Sequence, residues 1–404
     1  MVFFKATTGR PPAKEGTVSP TSSHSSHQIL SDTLVRVQPG QYSPLAAKLL
    51  MQLAGWSYSD FDTFQDEVAN NILEDPHEME MIMMQVKNQP MMVQATAQMI
   101  RTRDKRVAIV VFRGTELTNI VNWMTDAISK QTDFYKLPKK NMSSSCEKDY
   151  VKVHTGFRNN FDKVWFGDRG IQRHLLNPEL MRHDYDYETP RDQQTHIPSE
   201  QDELEAIYIC GHSLGGAMAF LAGLYMGALL NNHNDKQQSN NTLFSKLRGV
   251  YTYGSPMVVN DWDRNTCERI CGHVTFRHVY YNDIVPHLPP LSTGAFDHVG
   301  SEYRYHPRTG WRKRQEENSI VEWHAGRCTQ VVSIVFTTPF AAMDWVLDQI
   351  NWLNFFRGEC RDLPVIGWLS RGYLKQMWSF LDHSPIGYTE SLDHQLREDG
   401  SIEY

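Results

Sequence analysis

Gly211-His212-Ser213-Leu214-Gly215 sets a serine between two glycines, each two residues away. That spacing suits a nucleophile held on a sharp turn, where a neighbouring Cβ would block the close approach of backbone. A serine hydroxyl attacks a carbonyl only with help. It needs an imidazole base, a carboxylate to orient that base and N–H donors for the developing oxyanion. In "TFRHVYYNDIVPHLPP" an apolar run stops at Asn282-Asp283 and prolines follow. Asp283 therefore stands at the C-terminal end of a strand, where open α/β sheets build their sites; the same pair also reads as an ordinary turn. Candidates for the base after Asp283 are His287, hemmed in by prolines, His298 in "FDHVGSEY" and His383 in "FLDHSPIGYTESL", with His324 and His394 read as surface residues. The N–H of Leu214, at the start of the next element, is placed to be one oxyanion donor.

The elements that must position these groups are legible around them. "EAIYIC" before the motif reads as a short strand and "GAMAFLAGLYMGALL" after it as a helix, the context that a nucleophile elbow requires. The uncharged run extends from Ala206 to Asn234. A membrane span explains it less well, because the helical part is short against the ~20 residues a bilayer needs. Further strands are expected at 107–112, 206–210, 249–253 and 275–280, alternating with helical stretches, so a mainly parallel sheet covered by helices is predicted. "MMVQATAQMI", "RTRDKR" and "VAIVVF" read as strand, charged turn and buried strand. "SPLAAKLLMQLAGW" is a helix with Ser43 as N-cap and Pro44 at its first position. The methionine-rich stretch near 78–100 is assigned to packing, and 182–203 and 231–242 to surface loops.

Composition narrows the class. A chain of 404 residues that is 40% hydrophobic can bury one large core. The net charge is −7 and Lys and Arg are scattered, so no nucleic-acid partner is expected. Six cysteines do not make a disulfide scaffold, and Cys267, Cys271 and His273 lack a fourth partner for zinc. No metal and no organic cofactor are expected. Residues 1–40 are Ser-, Thr-, Pro- and Gly-rich in their first two-thirds and are expected to be a disordered tail, with 41–404 a single domain. The start of the sequence lacks the long apolar segment of a secretory signal, and a cytoplasmic location is the expectation.

Four segments together resemble the class 3 lipases, the family of fungal triacylglycerol lipases and plant acylhydrolases. They are "GHSLGGA" at 211–217, "VVFRGTELTNIVNWMTD" at 110–126, "VHTGF" at 153–157 and "YNDIVPHLPP" at 281–290, in the family's order. The resemblance spans roughly residues 40–390 and implies an α/β-hydrolase fold. It implies Ser213 as nucleophile, Asp283 as the acid, and Thr115 beside Leu214 in the oxyanion hole, with Asp126 orienting the Thr115 hydroxyl. It also implies a lid from Glu116 to about Ser129, centred on Trp123; "LTNIVNWM" has an apolar stripe that fits a lid or an ordinary docked helix. For the base, the terminal Asp-His followed by Tyr388 resembles the family's last motif and points to His383, with His298 as the alternative. About a hundred residues separate Asp283 from His383, more than compact relatives use. Part of that excess is the Trp-rich segment 340–381, read as an extended helical insertion that either packs on the sheet or meets a membrane. The implied activity is hydrolysis of acylglycerol esters through an acyl-enzyme. Phospholipase A1 or galactolipase action, or a silent lipid- or protein-binding module, are the alternatives. The implied partners are a lipid or other ester substrate and transient contact with a membrane or lipid-droplet surface.

Overall fold

The computed structural model describes residues 26–72, 80–88, 93–102, 104–115, 131–136, 150–166, 170–176, 204–230, 245–289, 295–314 and 381–393. The expected lid with Trp123 and Asp126, both hydrophilic insertions, His324, His394 and all but the last residue of the segment 340–381 lie outside these residues.

In chain order the elements are α1 (Ser26–Arg36), α2 (Pro44–Trp56), α3 (Phe61–Ile72), β1 (Glu80–Asn88), β2 (Val93–Arg101), β3 (Val107–Phe112), β4 (Gln131–Lys136), β5 (Tyr150–His154), α4 (Thr155–Trp165), α5 (Ile171–Leu176), β6 (Ala206–His212), α6 (Leu214–Leu230), β7 (Leu247–Tyr253), β8 (Val259–Asn260), α7 (Arg264–Cys271), β9 (Thr275–Tyr280), β10 (Phe296–Asp297), β11 (Ser301–His306), β12 (Gly310–Lys313) and α8 (Pro385–Asp393). The main sheet has eight strands in the order β1-β2-β3-β6-β7-β9-β11-β12. Its centre, from β3 to β11, is parallel, and both edges are antiparallel. The strands β10, β8, β5 and β4 form a small antiparallel sheet.

The apolar strands earn their composition from two-sided burial. Along β3, Ala108, Val110 and Phe112 join one core, shared with α4, α6 and α7. Val107, Ile109 and Val111 join the other, shared with α1, α2, α3 and α8. The period of two thus sends alternate residues to opposite helical layers. This mainly parallel sheet with helices on both faces is the α/β-hydrolase arrangement.

Helix α6 is the uncharged run. It is 17 residues long and sits between the sheet, α4 and α7. A helix that is apolar all round is a buried one, and Ala217, Leu221 and Met226 are fully buried. Truncating such a buried leucine typically costs about 2–5 kcal/mol. Among the described residues no helix is long and apolar enough to cross a membrane. Helix α2 starts as its sequence implies: the Ser43 side chain accepts the Ala46 N–H and Pro44 opens the first turn.

The described part of the stretch read as tail, residues 26–40, differs from expectation. Within residues 1–40 the chain forms α1, because Leu30, Leu34 and Val37 recur at helical spacing and pack against the second core. Tyr208 of β6 also donates to the Leu34 carbonyl (2.8 Å), pinning α1 to the sheet. The methionine-rich segment supplies the edge strand β1 and nearly all of β2, with which β1 pairs antiparallel. Cys267 and Cys271 are buried thiols on α7, the latter turned to the Cys267 carbonyl (3.5 Å).

Candidate active site

Strand β6 ends at His212, helix α6 begins at Leu214, and Ser213 alone makes the turn with φ +60°. A non-glycine residue in the left-handed region is strained and needs support. The Ser213 N–H supplies part of it by donating to the Tyr253 carbonyl at the end of β7 (2.8 Å). The two flanking glycines supply the rest. A Cβ on Gly211 would collide with the backbone of Gly215, and one on Gly215 would collide with the Phe112 carbonyl of β3. Strand, turn and helix therefore cross at a spacing that only hydrogen at those positions permits.

Asp283 follows β9 and His383 closes a 3₁₀ turn, Leu381–His383, just before α8. Both side chains are buried, and the His383 Nδ1 lies 2.8 and 3.0 Å from the two Asp283 oxygens. A carboxylate only accepts, so Nδ1 carries the proton and Nε2 is left as the basic nitrogen. The remaining lone pairs of Asp283 are also occupied. The Val285 N–H donates to Oδ1 (2.9 Å) and the buried Tyr388 hydroxyl donates to Oδ2 (2.6 Å). Burial and the adjacent Asp283 charge hold the Tyr388 hydroxyl well above its ordinary pKa, so it stays a donor. The Asn282 N–H donates to the Asp382 carboxylate (3.3 Å), which joins the acid's loop to the base's turn.

Ser213 and His383 both approach the end of β7. Gly254 has φ +56°, and a Cβ there would stand 2.7 Å from Asp283 Oδ2 and 2.9 Å from His383 Nδ1. The residue before it is the one that accepts the Ser213 N–H. Ser213 Oγ and His383 Nε2 are both buried, and among the described residues neither has a hydrogen-bond partner, so the two are not bonded to each other. Proton transfer from the serine to the imidazole requires hydrogen-bond reach, which sites without substrate often attain only once it binds. Thr115, half-buried, follows β3 on a loop that abuts the elbow: a Cβ on Gly114 would lie 2.6 Å from the His212 carbonyl. Leu214 is the first residue of α6, where N–H groups have no acceptor within the helix. The loop and the helix end thus bring two main-chain donors to the serine's side of the sheet.

Of the residues singled out in the sequence, Ser213, Leu214, Thr115, Asp283 and His383 are gathered at the C-terminal ends of β3, β6, β7 and β9. His298 is not. Its Nε2 is bound to the Pro286 carbonyl (2.6 Å), and burial followed by the Arg277 guanidinium holds its pKa well below the ordinary value. His287 is likewise held neutral by burial, at about 3. Two residues at the site carried no role from sequence alone. Tyr388 was part of the last motif, but its donation to Asp283 is visible only once α8 folds back. Tyr58, two residues past α2, bonds His212 (2.8 Å) and gave no spacing signal at all.

Residues 109–293 match the family model described as Lipase (class 3). Among curated relatives, the lipase of Rhizopus niveus is 29% identical over 65% of this chain and 51% of its own length. The lipase of Rhizomucor miehei is 29% identical over 51% of this chain and 44% of its own length. The chain spans about half the length of the curated relatives it matches. Similar solved structures include the lipase from Rhizopus microsporus var. chinensis, with 19% identity, a TM-score of 0.42 and coverage of 69% of this chain and 81% of that one. The likeness to the class 3 lipases is thus carried by residues 109–293 of this chain.

Proposed function

We propose that the protein is a serine lipase that hydrolyses the carboxylic ester bonds of acylglycerols. The observation that carries this reading is the buried His383–Asp283 pair, which packs against Gly254 at the end of β7, next to the Tyr253 carbonyl that accepts the N–H of a serine on a strained elbow. In the proposed cycle Nε2 takes the Ser213 proton as Oγ bonds to the ester carbonyl carbon. The main-chain N–H groups of Leu214 and Thr115 stabilise the oxyanion, usually the largest single contribution to such catalysis. The intermediate collapses to an acyl-enzyme, and His383 returns the proton to the departing alcohol. Water then attacks the acyl carbonyl, His383 takes its proton, and the carboxylic acid leaves as Ser213 is restored. Asp283 holds the ring and stabilises the imidazolium formed in each half.

Support for an acylglycerol substrate comes from relatives named lipase and triacylglycerol lipase. The expected lid around Trp123, with Asp126 orienting Thr115, belongs to the same proposal, as does contact with a lipid surface. Turnover of a short-chain aryl ester tests the chemistry, and Ser213→Ala is expected to abolish it. Persistence of most of the activity would overturn the assignment. Parallel assays on tri- and diacylglycerol, phosphatidylcholine and galactolipid vesicles then test the head group. Preference for either of the last two replaces the acylglycerol reading with a phospholipase or galactolipase on the same triad.

A further inference from the structure

His212, next to the nucleophile, is fully buried and lies against the base: its ring centroid is 4.6 Å from that of His383, at an interplanar angle of 33°. Tyr388, the donor to Asp283, meets the same ring edge-on at 5.5 Å. On its other side, the His212 Nδ1 is 2.8 Å from the Tyr58 hydroxyl. That hydroxyl also occupies the space beside Gly114, where a Cβ would collide with it, and the Arg113 guanidinium lies 5.9 Å above the tyrosine ring. One tyrosine and one imidazole thus touch the oxyanion loop, the elbow and the base's turn, which come from three distant parts of the chain.

Two imidazoles in contact cannot both carry charge cheaply, since like charges at this separation in a dry site repel strongly. Burial, then the neighbouring His383, hold the His212 pKa well below its ordinary value, while the His383 main-chain carbonyl pulls weakly the other way. Burial likewise raises the Tyr58 hydroxyl above its ordinary pKa, against the pull of Arg113 and the Ser213 hydroxyl, so it remains a neutral donor. With the Tyr58 hydroxyl taken as donor to Nδ1, a neutral His212 carries its proton on Nε2, which is buried and has no hydrogen-bond partner among the described residues. His383 has the opposite tautomer, set by Asp283.

We propose that Tyr58 and His212 act as a positioning pair, which fixes where the His383 imidazole rests relative to Ser213. The Tyr58 hydroxyl sets the tautomer and tilt of His212, and the neutral face of that ring supports the base as it gains and loses its proton. This rests on the Ser213–His383–Asp283 reading above and assigns it two further residues. Neither is expected to touch substrate-derived atoms; both act through His383.

The test is a double-mutant cycle in the full chain: Tyr58→Phe, His212→Ala and the double variant, assayed on a short-chain p-nitrophenyl ester. Each single change is expected to lower kcat about 10- to 100-fold, the scale of a small misplacement of reacting groups, with KM within about twofold. Because the pair acts as one unit, the double variant should be no slower than His212→Ala alone. Thermal unfolding and the end-point labelling of Ser213 by a fluorophosphonate report the fold. Should His212→Ala fail to fold, Tyr58→Phe, which keeps its ring, decides alone. Wild-type kcat in Tyr58→Phe, or losses that multiply in the double variant, would overturn the pairing. Residual hydrolysis by Ser213→Ala would instead sink the underlying enzyme reading, so the two failures are distinguishable.

Discussion

His298, half-buried, and His383, buried, both follow Asp283 in the chain, and their surroundings give them opposite chemistry. His383 places Nδ1 on a carboxylate, and its Nε2 has no hydrogen-bond partner among the described residues. His298 spends Nε2 on the Pro286 carbonyl and sits close to the Arg277 guanidinium, which disfavours any positive charge on it. Its neighbour Asp297 faces Arg264 (3.4 Å), and accepts the main-chain N–H of His298, not its ring (2.7 Å). Burial lowers the basicity of an imidazole unless a carboxylate offsets it. In the proposed site a buried histidine becomes a base through its carboxylate partner, reached because the chain before α8 folds back to the end of β9.

The comparison can be broken most severely at its carboxylates. Asp283→Asn keeps the shape of the site but offers an N–H where Nδ1–H must donate. The change is expected to cost about 10⁴ in kcat, as loss of the orienting acid does in related triads. Asp297→Asn should leave kcat at the wild-type value, because its partner Arg264 is part-exposed and such pairs contribute about 0–1 kcal/mol. Equal losses in the two variants, read from steady-state ester hydrolysis, would erase the distinction. A smaller effect is expected at Tyr388→Phe. It removes one charge-assisted bond to Asp283 and should lower kcat about tenfold while the ring stays packed; an unchanged kcat would show that the His383 and Val285 bonds suffice.

The gentlest probe is pH, and it addresses three histidines outside the proposed triad. In the folded chain His154 is held at about 4, His278 at about 3 and His287 at about 3, below the ordinary 6.5, in each case chiefly by burial. Between those values the unfolded chain binds protons that the folded chain refuses, so stability rises with pH across that window. It is fully present above about pH 6.5 and is lost as pH falls toward 3. Glu302 adds in the same direction: Arg277, Arg304 and Arg314 hold its buried carboxyl well below the usual range, so its contribution also fades in acid. Tm measured at pH 7, 6, 5 and 4 should fall at each step. A flat profile would mean that these imidazoles are wetter than the structure describes.

Much of the scaffold was legible because its causes are local. Alternating burial makes β3 apolar on both faces, the cap at Ser43 announces α2, and Gly211 with Gly215 announces the elbow. The small sheet was not legible, since β8 and β10 are two residues each and too short for any period to register. Helix α1 was masked by the Ser- and Pro-rich composition around it, although Leu30, Leu34 and Val37 carried the pattern. The base could be ranked but not chosen from residues, because the His383–Asp283 contact joins positions 100 residues apart. Tyr58 had no signal at all: its role exists only where the end of α2, the elbow and the oxyanion loop converge.

The most direct test of the account sets the two histidines against each other in one assay. His383→Ala and His298→Gln are compared for hydrolysis of a short-chain p-nitrophenyl ester and for the rate of fluorophosphonate labelling at Ser213. His383→Ala should lose at least about 10³-fold in kcat and label slowly, as removal of a triad base does. His298→Gln should label and turn over like the wild type, whatever it does to Tm. Near-wild-type turnover in His383→Ala, or loss confined to a folded His298→Gln, would contradict the assignment of the base.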